Sequence, residues 1–205
     1  MQPLASTVFI VDDDESFRSS IARLLRASGL PTRVFASAAE FLRDRPPNAP
    51  GCVVTDLLMP AMNGIQLQEA LARSDNPVPI VFLTGHGDIP TSVTAMRHGA
   101  EDFLTKNAPK SELLAAVKRA LARDTSERER RTRKRSLQTR FDQLTPRESE
   151  VLNHVLSGRL NKQIAADLGI DERSVKRHRT NLMSKLGIQS VAELSHLAHE
   201  VGMIS

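Results

Sequence analysis

The sequence predicts an α/β fold, five parallel strands doubly wound by helices, followed by a small all-α domain. Three observations predict it. Short runs rich in Val, Ile and Phe alternate with amphipathic segments through residues 1–121, as in a parallel sheet buried on both faces. Beyond residue 140 no strand-like run survives, and the remaining chain reads as four short capped helices. With 205 residues, two domains are also the better expectation.

In chain order, "VFIV", "TRVFA", "CVVTD", "PIVFLT" and "DFLTK" are the candidate strands. Between them, Phe17, Ile21, Leu24 and Leu25 share one helical face ahead of Gly29. Ser37 and Glu40 have the spacing of a capping box, and "GIQLQEALARS" and "SELLAAVKRALAR" follow the helical period. Strand and helix in alternation imply a parallel sheet with helices on both faces. Sites in such sheets lie beyond the carboxyl ends of the strands.

That rule gives meaning to the charges. Asp12 and Asp13 close the first strand, Asp56 closes "CVVTD", Thr84 closes "PIVFLT" and Lys106 closes "DFLTK", so one edge collects three carboxylates, a hydroxyl and an ammonium. Crowded carboxylates raise one another's pKa unless a cation settles among them. A hard divalent ion does this, and magnesium suits a site of few carboxylates and several waters. The bland alternative is an acidic loop that merely caps the first helix, a role that suits Asp14 and Glu15.

With these residues, the first domain resembles the receiver domain of two-component response regulators, which has a flavodoxin-like fold. The resemblance implies that Asp56 accepts a phosphoryl group and that Asp12 and Asp13 hold Mg2+, with Asp56 and the backbone carbonyl of Leu58 completing the protein's share of its ligands. It also implies that Thr84 and Lys106 contact the phosphoryl oxygens and that Phe103 is the aromatic switch residue whose rotamer follows Thr84. The chemistry is self-consistent: a carboxylate attacks in line while cations stabilise charge on the equatorial oxygens. Gly85 and Gly87 give the loop after Thr84 freedom to move.

One departure bears on Lys106. Receivers usually follow this lysine with proline, whereas here the run is Lys106, Asn107, Ala108, Pro109. A cis bond before a non-proline residue costs about 2.5 to 4 kcal/mol, so a trans bond and a differently shaped loop are expected, which puts the reach of Lys106 in question. A competing function is a magnesium-dependent phosphatase working through an aspartyl phosphate. It would need a second acid or base near Asp56, and Glu15 and His86 are the candidates; the expectation is a switch rather than a turnover enzyme.

Charge is unevenly placed. Lys and Arg number 12 against 13 Asp and Glu over residues 1–121, 8 against 3 over 122–140, and 8 against 8 over 141–205. The middle segment, almost without apolar residues, reads as an exposed helical linker that could add contacts to nucleic-acid phosphates. In the last segment Thr145 is an N-cap with Pro146 at the first helical position and Glu148 completing a capping box. Gly158 and Gly169 end two helices, Asp171 caps the third, and Ser190 with Glu193 caps the fourth. Val175, Leu182 and Leu186 face the core of this domain, leaving Lys176, Arg177, Arg179 and Thr180 mostly outward.

A short helix, a glycine turn and a longer basic helix form a helix-turn-helix. Through "LTPRESEVL", "NKQIAADLGI" and "SVKRHRTNLMSKL" the segment resembles the LuxR-type DNA-binding domain of the NarL/FixJ subfamily. By that resemblance Lys176, Arg177 and Thr180 lie where base edges are read, and Asn161, Lys162, Arg173 and Arg179 lie on phosphates. Thr180 departs from the lysine found there in some members. A neutral protein-binding bundle is the alternative. His196 and His199 share a helical face, but two ligands without a third make a poor metal site.

No run reaches the eighteen or so apolar residues of a membrane span, no export signal opens the chain, and Cys52 is the one cysteine. A cytoplasmic protein without membrane partners is expected. The resemblance implies a sensor histidine kinase as phosphodonor, a homodimer on phosphorylation, double-stranded promoter DNA as target, and activation through RNA polymerase.

Overall fold

The structure, a computed structural model, describes residues 5–85 and 89–204, with only the backbone of Ile89. The chain divides into two compact units between Arg128 and Glu129. The first holds strands β1 (Thr7–Val11), β2 (Thr32–Phe35), β3 (Gly51–Thr55), β4 (Ile80–Thr84) and β5 (Asp102–Thr105). Its helices are α1 (Glu15–Ala27), α2 (Ala38–Asp44), α3 (Gly64–Ala72), α4 (Ile89–Arg97) and the first part of α5 (Lys110–Asp142).

All strand pairs are parallel, in the order β2-β1-β3-β4-β5. The alternation of side chains along each strand divides the core in two. Phe9, Val11, Val53 and Phe82 pack against Phe41 of α2, Leu67 and Leu71 of α3 and Ala95 of α4. Val8, Ile10, Cys52, Val54, Val81 and Leu83 pack on the other face against Ile21 and Leu25 of α1 and Leu113, Ala116 and Val117 of α5. Strand order reverses direction between β1 and β3, so the crevice beyond their carboxyl ends is where this topology opens a site.

Local chemistry sets the helix starts. Asp14 caps α1 by accepting the Phe17 N–H, and Ser37 caps α2 by accepting that of Glu40, whose carboxylate returns to the Ala36 N–H. At Gly64, where α3 begins, a Cβ would lie 2.5 Å from the Asp56 carbonyl oxygen and 2.8 Å from the Phe82 ring. Only glycine lets the helix start that close to the end of β3.

The segment 122–140 is helical, but it is not a free spacer. Asp124, 1% exposed, accepts the Gly51 N–H at 2.8 Å and Arg128 Nε at 2.7 Å, while Arg128 donates to the carbonyls of Asn48 and Ala49. The first unit thus runs past the expected end at residue 121. Beyond the division, Leu137 and Phe141 are buried in the second unit's core. That core joins them to α6 (Pro146–Leu156), α7 (Asn161–Leu168), α8 (Glu172–Leu186) and α9 (Val191–Val201).

Candidate functional site

The first site forms at the carboxyl ends of β1, β3 and β5. Asp12 is 2% exposed; its Oδ1 accepts the Asp14 N–H at 2.9 Å and its Oδ2 lies 2.7 Å from Lys106 Nζ. Asp56, also buried, has its N–H bonded to the Val11 carbonyl, which fixes β3 to β1 at the point where both end. Its Oδ1 accepts the Leu58 N–H at 3.3 Å and its Oδ2 lies 2.7 Å from the same Lys106 Nζ. One carboxylate oxygen from each of Asp12, Asp13 and Asp56 falls within 4.8 Å of the others, and Asp13 is exposed to solvent.

The lysine reaches the cluster although the residue after it is not proline. No peptide bond among the described residues is cis, so Lys106 to Asn107 is trans, as expected. The doubt about reach does not survive: the Lys106 N–H donates to the Thr84 carbonyl at 2.7 Å, holding the end of β5 beside β4, and the side chain spans from there. The loop is tied further by the Ala108 N–H on the Thr105 carbonyl.

The charges settle unequally. Burial pushes the Asp12 carboxyl above its usual range, against the opposing hydrogen bonds from Lys106 and the Asp14 N–H. Burial also works to lower the Lys106 pKa, but hydrogen bonds from Asp12 and Asp56 outweigh it and hold the ammonium above its ordinary value. The asymmetry follows from numbers: the ammonium has two carboxylate partners, and each carboxylate shares one ammonium.

Thr84 is 1% exposed at the end of β4, and Phe103 is partly buried on β5 with its ring 5.7 Å from that of Phe82. In register, Phe82 faces Phe103 and Thr84 faces Thr105, so Thr84 and Phe103 lie on one face of the sheet. Asp14 and Glu15 are exposed at the start of α1, where Asp14 is the cap. His86 and Gly87 lie outside the described residues.

The second unit presents the other site. Its capping boxes follow the sequence closely: Thr145 accepts the Glu148 N–H and Glu148 returns to the Thr145 N–H, while Asp171 and Ser190 cap α8 and α9. Val175, Leu182 and Leu186 are buried, and Lys176, Arg177, Thr180, Arg173 and Lys162 are exposed. Arg179 corrects the outward expectation. It is half-buried and donates to Asn161 Oδ1 at 2.7 Å, latching the first residue of α7 to the middle of α8. Two residues expected separately on phosphates are thus bonded to each other. His196 and His199 are exposed on α9, and among the described residues the one cluster suited to a metal is that of Asp12, Asp13 and Asp56.

Sequence reasoning missed three arrangements. Lys106 Nζ lies 4.4 Å from the centroid of the Phe17 ring. Lys185 Nζ lies 2.7 Å from the buried Glu148, so the capping glutamate also ties α6 to α8. The bonds of Asp124 and Arg128 to residues 48–51 are the third. Each joins residues far apart in the chain, so neither periodicity nor local spacing carries a signal of it.

Residues 8–118 match the model of the response regulator receiver domain, and residues 142–198 that of bacterial regulatory proteins of the luxR family. Nodulation protein W of Bradyrhizobium diazoefficiens is 42% identical over 96% of this chain and 86% of its own length. Response regulator protein TodT of Pseudomonas putida is 40% identical over 95% of this chain and 86% of its own length. Among solved structures, response regulator StyR aligns with a TM-score of 0.83 and 46% identity, covering 96% of this chain and 99% of that one. Full-length FixJ from B. japonicum aligns with a TM-score of 0.59 and 33% identity, covering 99% of this chain and 100% of that one. Within the described residues no helix is long and apolar enough to cross a membrane. With its buried carboxylates bridged by a lysine in one unit and a basic helix-turn-helix in the other, this chain belongs to the NarL/FixJ-type response regulators, transcriptional regulatory proteins of two-component systems that join a receiver to a LuxR-type DNA-binding domain.

Proposed function

We propose that Asp56 is the phosphoacceptor and that its phosphorylation by a sensor histidine kinase drives pairing of two copies and binding to promoter DNA. One observation carries the reading: Lys106 Nζ stands 2.7 Å from both Asp56 and Asp12, where it can follow a phosphoryl oxygen. An Asp56 oxygen forms the new O–P bond as the bond from phosphorus to the donor's imidazole nitrogen breaks, and that nitrogen keeps the electron pair. Lys106 stabilises charge on an equatorial oxygen, and the Thr84 hydroxyl donates to another. Clustered carboxylate oxygens fit a hard divalent cation, so Asp12, Asp13 and Asp56 with the Leu58 carbonyl would hold Mg2+. When bound, it supplies neutralising charge for the phosphoryl oxygens.

The acyl phosphate draws Thr84 toward it, and Phe103 turns into the space released. The face that changes includes the exposed side chains of Val93 and Met96 on α4, which offers apolar surface for a second copy. Pairing presents two basic α8 helices to half-sites spaced about 10 base pairs or a multiple of it, and raises affinity through effective concentration. Lys176, Arg177 and Thr180 read base edges; Arg173 and Lys162 contact phosphates; Arg179 and Asn161 hold the α7 start in place to do so. The protein works in the cytoplasm as a switch, not a turnover enzyme, and activates through RNA polymerase. Light scattering and DNA titration of phosphorylated and unphosphorylated protein test this. A doubled mass and tighter binding are expected, whereas equal mass and equal affinity would show that pairing is not the output.

A further inference from the structure

We infer that Phe17 is a positioning residue for phosphoryl transfer, its ring face holding the Lys106 ammonium in place throughout the cycle. The inference rests on the reading of Asp56 as phosphoacceptor. An ammonium has three N–H groups. Asp12 Oδ2 and Asp56 Oδ2, each 2.7 Å from the nitrogen, can take two of them, and the nitrogen lies over the ring of Phe17, 4.4 Å from its centroid. A cation at this distance from an aromatic face is attracted by the ring's quadrupole, more strongly when water is partly excluded. Here the Lys106 side chain is only 18% exposed.

The three partners differ in what the reaction does to them. Asp56 becomes an acyl phosphate, and Asp12 belongs to the donor set that suits a metal ion, so both lone-pair partners are committed elsewhere when the ammonium must act. The Phe17 side chain has no hydrogen-bond donor and no lone-pair acceptor. It cannot compete for a phosphoryl oxygen or a metal, and its attraction for the ammonium is the same before and after transfer. Its own position is fixed independently of the chemistry: the Phe17 N–H donates to the capping Asp14 at 3.0 Å, and its side chain packs against the core shared by α1 and α5. The backbone of Lys106 is set by its bond to Thr84. Phe17 thus joins Asp12 and Asp56 in restricting where the end of the long side chain points.

Phe17→Leu keeps an apolar side chain but removes the π face, and replacement of Phe17 by 4-fluoro- and 3,4,5-trifluorophenylalanine keeps shape while weakening the quadrupole stepwise. Two readouts are taken on the full chain. In metal-free protein, the Lys106 ε-methylene protons should show an upfield ring-current shift by NMR that is lost in Phe17→Leu. With acetyl phosphate and magnesium, the rate constant for the adduct on Asp56 should fall about three- to tenfold in Phe17→Leu, fall progressively along the fluorinated series, and recover in Phe17→Trp. An unshifted Lys106 spectrum, or rates indifferent to fluorination while the wild type is phosphorylated, would overturn the role of Phe17 alone. Absence of an adduct from the wild type itself would overturn the phosphoacceptor reading and this inference with it.

Discussion

Lys106 brings one positive charge to the two buried carboxylates of Asp12 and Asp56, and the imbalance predicts how the site responds to substitution. Because burial holds the Asp12 pKa above its unfolded value near 3.8, the folded protein binds that proton more tightly. The charged form therefore costs stability, a cost that sets in as pH rises past the unfolded value and is complete above the folded one. Asp12→Asn is expected to raise the thermal midpoint of the first unit at pH 7 in metal-free buffer, with the gain shrinking as pH falls toward 3.8. A lowered midpoint at pH 7 would mean that pairing with Lys106 outweighs burial. At Gly64 the constraint is steric. Gly64→Ala places a methyl 2.5 Å from the Asp56 carbonyl oxygen, and a loss of about 1 to 3 kcal/mol in chemical denaturation is expected despite alanine's better helix propensity.

Elements were readable from sequence where their determinants are local. A cap and its partner lie three residues apart, so Ser37, Thr145, Asp171 and Ser190 announce their helices without knowledge of the fold. Strand ends carry the site residues, so Asp12, Asp56, Thr84 and Lys106 could be placed on one edge once the sheet was taken as parallel. Contacts between elements could not be read. Arg179 looks like its exposed neighbours Lys176 and Arg177 in the sequence, yet it is bonded to Asn161, and only packing of α7 on α8 decides that. The distinction predicts different behaviour on DNA. Lys176→Ala and Arg177→Ala should each cost about 1 to 3 kcal/mol of promoter affinity without changing stability. Arg179→Ala should lower the melting temperature of the second unit as well, because it releases the start of α7. Unchanged affinity in the first two would move them off the interface.

At the scale of the whole molecule, the charged segment 122–140 is where composition misleads. A run so poor in apolar residues predicts a solvated spacer, because hydrophobicity is the signal that sequence patterning carries. Its anchors are instead polar, with Asp124 and Arg128 closing on the backbone ahead of β3 and Leu137 alone entering the next core. Asp124→Ala removes the acceptor from the Gly51 N–H and the partner of Arg128, and a loss of about 3 kcal/mol in the stability of the first unit is expected. A denaturation midpoint equal to the wild type would show that this end of α5 is as loosely held as its composition suggests. The same strand, β3, runs from that clamp at Gly51 to Thr55, directly before Asp56, on whose role as phosphoacceptor the proposed switch depends. The measurement that tests it most directly is the intact mass of the full chain after incubation with acetyl phosphate and magnesium, for the wild type and Asp56→Asn. One phosphoryl group on the wild type and none on the variant is expected; an adduct of equal yield on both proteins would place the phosphoacceptor on another residue.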